Sequence, residues 1–195
     1  MIYKDDMDRL WGTMEPISSE QLIPVEDGSV LKIGEHEIKT IYTPGHAVHH
    51  NAYKFGNVIF TGDVAGVKIE NGPVVPPCPP PDINIELWKT SIQKLKDENP
   101  EALYLTHFGR IENPISHLED LEFILDDWSN WMKPYFESET SPEEITPKFM
   151  EYTKKQLAEH GLNDHEILVY EYANPSWMSV AGLLRYWKLK SQGRI

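Results

Sequence analysis

Three short stretches of this chain repeat one arrangement: an apolar strand-forming run, a sharp turn, and a side chain of the kind that ligates metals. They are "IYTPGH" ending at His46, "VIFTGD" ending at Asp63, and "LYLTHFG" carrying His107. The apolar residues bury each strand, and Gly45 and Gly62 let the backbone turn so tightly that the next side chain projects past the sheet edge. Strand ends on one edge of a sheet converge in space, so the pattern predicts a shared rim. Two imidazoles and one carboxylate suit a borderline divalent ion, zinc first, with manganese and iron as the alternatives. Any one of these turns is weak as a signal; three in order are strong.

The segments around them split the chain by character. Residues 1–20 carry a short helical pattern (Met7, Leu10, Trp11, Met14) that stops at Pro16 and needs something to pack on. From Leu22 the period becomes strand-like: "LIPVE", a turn at Asp27-Gly28, "SVLKIG", "HEIKTIY", "NAYKFG" and "NVIFTGD". The prolines of "GPVVPPCPPPD" impose extended geometry and exclude helix or central strand. Helical spacing returns over Ile85 to Leu95, and "EALYLTHFG" is a short buried strand. From Ile115 the chain is wholly helical, with one stripe through Leu118, Leu121, Leu125, Trp128, Met132 and Tyr135 and a second through Ile145, Phe149, Tyr152 and Leu157. Gly161 stops a helix, and Ser176 is expected to cap the last one, which runs through Val180, Leu184 and Trp187. Two units follow: strands with ligand-bearing turns over 1–113, and helices over 114–195 that pack on them.

Charge narrows the partners. With 18 Lys+Arg against 31 Asp+Glu the formal net charge is −13, which disfavours a hold on nucleic acid or on an anionic membrane face and favours a small-molecule substrate. The single cysteine, Cys78, rules out an intrachain disulfide and a cysteine cage for metal. The start "MIYKDDMDRLWG" is acidic where a signal peptide is apolar, and no run approaches the ~20 apolar residues of a membrane span. A cytoplasmic protein is expected.

"TPGHAVHH", "FTGD" and "THFG", in that order, resemble the third, fourth and fifth motifs of the metallo-β-lactamase superfamily, nearest its glyoxalase II-like and general hydrolase branches. The resemblance implies an αββα sandwich with its site at the sheet edge, of which this α/β chain would supply the second half plus a C-terminal helical extension. It also implies that His46 ligates a first metal, that Asp63 bridges two, and that His107 ligates the second. The implied activity is hydrolysis of an ester, thioester, lactone or amide-type substrate by a metal-activated hydroxide, oriented by Asp63. The superfamily signature H-x-H-x-D-H is absent from these residues, so one His per metal and a shared carboxylate remain, and a truncated form of a longer parent is expected. A catalytically silent half-domain that persists by homo-oligomerisation, through an uncovered sheet or aromatic helices, is the alternative. An iron-bearing redox member of the same fold ranks third.

Other imidazoles and aromatics have plainer uses. His49 and His50 fall outside the ligand slot and are expected to hydrogen-bond locally. His36, His117, His160 and His165 lie in polar segments and are expected to be solvated. The proline run is weighed as a stiff connector ahead of a lid. Trp128, Trp131, Tyr135, Trp177, Tyr186 and Trp187 are expected to pack helices onto the core.

Overall fold

The computed structural model describes residues 6–107 and 109–195, so residues 1–5 and Phe108 of the "THFG" motif lie outside the described residues. Six strands lie in chain order across one sheet: β1 (Val30–Ile33), β2 (His36–Tyr42), β3 (Asn51–Phe55), β4 (Val58–Gly62), β5 (Ala102–Leu105) and β6 (Gly109–Ile111). Neighbours are antiparallel except β4 and β5. Parallel strands need a long crossover, and α2 (Ile85–Asp97) lies within it. α2 is capped by Asn84, whose side chain accepts the Leu87 N–H at 3.0 Å.

Register sorts the sheet into two faces. Ile41 pairs with Ala52, and Ile59 with Leu103; all four are buried, in one apolar cluster with residues of the helices. The opposite face carries two rows running across the strands. One row is Leu31, Ile38, Phe55 and Val58; the other is Thr40, Tyr53, Phe60 and Tyr104. Phe60 and Tyr104 stack at 5.1 Å, yet Tyr53, Phe55 and Phe60 stay 37%, 38% and 47% exposed.

The helical region follows the predicted stripes. α3 (Pro114–Glu137) buries Leu118, Leu121, Leu125, Trp128 and Met132, and α4 (Pro142–Glu159) buries Ile145, Phe149 and Leu157. Then come α5 (Asp164–Ala173) and α6 (Ser176–Ser191). Buried residues of the strands, α2, α3, α4 and α6 form one continuous cluster. Ahead of the sheet, α1 (Met7–Trp11) has no buried residue. Of the six aromatics, Trp128 and Tyr186 are buried and Trp131, Tyr135 and Trp187 pack against the cluster, while Trp177 is exposed.

Four local expectations change. Residues 22–26 form no strand; Pro24 lacks the N–H that a ladder needs, and β1 is the edge. Ser176 begins α6 instead of capping it, and its hydroxyl donates to Glu171 at 2.6 Å. His117 is not solvated: it is 5% exposed, and its Nε2–H donates to Ala65 O at 2.8 Å. The proline run is neither a connector nor a lid. Residues 74–78 are buried, Val75 and Val67 exchange two backbone bonds of 2.9 Å, and the carbonyls of Pro73, Pro76 and Pro81 accept from Tyr170, Asn174 and Arg185 at 2.8, 3.0 and 2.8 Å. Proline cannot donate but keeps its carbonyl, so a proline-rich strap can enter a core wherever neighbouring side chains bring the donors.

Candidate metal centre

His46, Asp63 and His107 come from three different strand ends and meet at one rim. His46 follows the turn after β2, Asp63 opens a 3₁₀ turn (Asp63–Ala65) directly after β4, and His107 lies just beyond β5. Asp63 stands between the imidazoles and gives each a different oxygen: Oδ2 lies 3.4 Å from His46 Nε2, and Oδ1 lies 3.0 Å from His107 Nε2. Oδ1 is buried and, apart from that approach of His107, has no hydrogen-bond partner among the described residues. A buried carboxylate oxygen without a hydrogen bond is costly unless something else compensates it.

The rim is held from behind. His46 Nδ1–H donates to Pro77 O at 2.9 Å, which leaves Nε2 with its lone pair toward Asp63. Its ring packs edge-on against Trp88 at 5.4 Å, and Trp88 Nε1–H donates to Val64 O at 2.7 Å, joining α2 to the turn that carries Asp63. Burial holds the His46 pKa below the usual imidazole range, with the Asp63 carboxylate opposing. A neutral imidazole is the form that ligates metal.

His50 supports Asp63 through the backbone. The Asp63 N–H donates to His50 Nε2 at 3.0 Å, so His50 carries its proton on Nδ1, which donates to Thr43 Oγ1 at 2.8 Å. Burial pushes its pKa down to about 4. The expectation of a local hydrogen-bonding role thus agrees with the geometry, whereas His49 is exposed. Sequence reasoning missed Trp88, Pro77 and His117; no spacing rule ties a tryptophan or a proline carbonyl to a histidine 42 or 31 residues away.

Both turn glycines are forced by close approach. Gly62 has φ 58°, and a Cβ there would stand 2.4 Å from His50 Nε2. At Gly45, φ 131°, a Cβ would stand 2.3 Å from the Trp88 backbone. The "PG" and "TG" of the motifs are therefore gaps into which α2 and His50 fit.

The donor set suits a divalent ion shared pairwise through Asp63, with His46 on one side and His107 on the other. It does not form a closed cage: among the described residues no group of three or more His, Cys, Asp and Glu side chains could by itself hold an ion. Each half would keep open positions for other ligands. Cys78 is no candidate, since it is fully buried and burial pushes its thiol pKa up.

The family model of the metallo-beta-lactamase superfamily matches residues 3–107, just over half of the chain. The chain belongs to the metallo-beta-lactamase superfamily. A metallo-beta-lactamase fold-containing protein of Sulfurisphaera tokodaii is 30% identical over 119 residues, 60% of this chain and 45% of that protein. A hydroxyacylglutathione hydrolase of Maricaulis maris is 44% identical over 41 residues, 20% of this chain and 16% of that protein. Among solved structures, an archaeal superfamily member from Sulfolobus tokodaii aligns with TM-score 0.52 at 30% identity, over 62% of this chain and 46% of that one. A metallo-beta-lactamase family protein from Thermus thermophilus aligns with TM-score 0.56 at 18% identity, over 88% and 50%, a likeness of fold alone. The chain thus spans half or less of the length of these relatives. Among the described residues no helix is long and apolar enough to cross a membrane.

Proposed function

We propose that this superfamily member serves metal-dependent hydrolysis of an ester, thioester, lactone or amide-type small molecule. One observation carries it: Asp63 addresses two imidazoles from different strand ends, each with a separate carboxylate oxygen. A divalent ion, zinc by donor chemistry, would supply a water of lowered pKa and polarise the substrate's carbonyl oxygen. His46 and Asp63 on one side, and Asp63 and His107 on the other, would each supply part of a ligand set completed by other ligands, the Asp63 carboxylate would orient the attacking water, and His50 would fix the Asp63 backbone. The Maricaulis relative, by its name, hydrolyses a hydroxyacylglutathione, which supports acyl chemistry here.

The test is metal content of the chain purified without added metal, with hydrolysis of a panel of thioesters and lactones. Expected are zinc at stoichiometric level and turnover, both lost on His46→Ala. Iron in place of zinc would favour redox chemistry, and protein without metal or turnover would overturn the proposal.

A second function is favoured by the partly exposed aromatics on the sheet face away from the helices. Tyr53, Phe55 and Phe60 form an exposed apolar patch of the kind that marks protein contacts, which supports self-association of this chain, with or without catalysis.

A further inference from the structure

The proline strap touches the rim at one carbonyl. Val75 is bonded to Val67 through both of its backbone groups at 2.9 Å, and the next two residues, Pro76 and Pro77, have no N–H to offer. Only their carbonyls can be held, and each meets one side chain. Pro76 O accepts from Asn174 Nδ2 at 3.0 Å, and Pro77 O accepts from His46 Nδ1 at 2.9 Å. One partner belongs to the helical region and the other to the rim. Because a carbonyl only accepts, both nitrogens must carry the hydrogen.

Asn174 is itself fixed. It ends α5 as the C-terminal cap, with its backbone N–H bonded to Tyr170 O at 2.8 Å. α6 closes on the strap as well, since a Cβ at Gly182 would stand 1.9 Å from Cys78 O. Two dihedrals, φ and ψ of Pro77, relate the carbonyl planes of Pro76 and Pro77, and the ring locks the first. Holding the Pro76 carbonyl therefore restricts where the Pro77 carbonyl can point. That direction matters for His46, because Asp63 Oδ2 lies 3.4 Å from its Nε2 and competes for the same proton. A neutral imidazole has a single N–H. On Nε2 it would face the carboxylate; on Nδ1 it faces Pro77 O and leaves Nε2 the lone pair that a ligand needs.

We propose that Asn174 is a positioning residue for His46: through the Pro76–Pro77 unit it aims the carbonyl that keeps the His46 proton on Nδ1. The consequence for metal rests on the reading of His46 as a ligand. The test is nitrogen NMR of the full chain, labelled at histidine and stripped of metal, at about pH 8, above the ordinary imidazole pKa of about 6.5. The His46 signals are those lost in His46→Gln. The unsubstituted chain should carry the His46 proton on Nδ1. Asn174→Leu, which keeps the bulk of the side chain without its donor, should shift that proton toward Nε2 and lower zinc affinity about tenfold in chelator competition. Tyr170→Phe removes a different strap bond, the one of 2.8 Å to Pro73 O on the far side of the Val75–Val67 pair. It should lower the thermal midpoint and leave the tautomer unchanged. An Nε2–H imidazole in the unsubstituted chain, an unmoved tautomer in Asn174→Leu, or an equal shift in Tyr170→Phe would overturn the proposal. Should Asn174→Leu fail to fold, Asn174→Ala is read in the same way. The tautomer is read without metal, so a chain that retains no zinc would count against the hydrolase reading while this comparison still decides the role of Asn174.

Discussion

The backbone N–H of Asp63 donates to His50 Nε2 at 3.0 Å, so the residue that faces both rim imidazoles is positioned by a histidine facing neither oxygen of its carboxylate. Removing the ring leaves a buried N–H and the Thr43 hydroxyl without their partner. His50→Ala should cost about 1–3 kcal/mol in urea denaturation. It should also weaken metal binding about 10- to 100-fold, the usual consequence of losing a group that orients a ligand. A chelator-competition titration reads the second effect. Unchanged affinity would show that Asp63 keeps its place without His50.

The two turn glycines differ in what they protect. Gly62→Ala pushes a methyl against the His50 imidazole at a left-handed φ of 58°, and a ring can shift. The expected cost is about 2 kcal/mol, with metal affinity lowered alongside. Gly45→Ala sets the methyl against the backbone of α2 at 2.3 Å, which cannot yield without moving the helix. Asn84 N–H also donates to Gly45 O at 2.8 Å and Ser91 to Pro44 O at 2.6 Å, so the turn and α2 are bound as one piece. Gly45→Ala should be the more destabilising of the two, and thermal melts of both variants test that order.

Much of this rim was legible because local rules govern it. A β-run, a glycine that admits positive φ and a ligand-type side chain are contiguous in sequence, so His46, Asp63 and His107 could be grouped before any contact was known. The helical stripes of α3 and α4 were readable for the same reason. Misplaced features depend on distant partners. His117 looks solvated among polar neighbours, yet Ala65 O, 52 residues earlier, draws it inside. "LIPVE" has strand composition but no neighbouring strand to pair with. The proline run looks self-sufficient, and only Tyr170, Asn174 and Arg185, about a hundred residues later, make it core.

Buried imidazoles predict how stability responds to acid. Burial lowers the His117 pKa, Lys68 lowers it further, and the bond to Ala65 O and the charge of Asp120 oppose. In the unfolded chain it returns to about 6.5. The unfolded state therefore binds more protons between the two values, so stability is full above about pH 6.5 and falls as pH drops toward the folded value. His46 and His50 are shifted in the same direction and add to the slope. His117→Gln retains an N–H donor without a titrating group. It should flatten the loss of urea midpoint between about pH 7 and about pH 5, and a slope equal to that of the unsubstituted chain would refute a buried neutral His117.

Phe60 sits in the middle of the exposed sheet face, paired with Tyr53 on one side and stacked on Tyr104 at 5.1 Å on the other. Its side chain points away from the helix-packed core, so a charge there costs the fold little, while it sets an unpaired carboxylate in any face-to-face contact. Burying such a charge without a partner is strongly unfavourable. If copies of this chain associate through the face, Phe60→Glu should shift sedimentation toward monomer and weaken the dimer at least about a hundredfold, roughly 2.7 kcal/mol, with the thermal midpoint of the monomer nearly unchanged. Phe123→Glu is the control, since Phe123 lies on α3 and is 69% exposed. Equal dissociation in both variants, or a dimer unaffected by Phe60→Glu, would place the contact elsewhere.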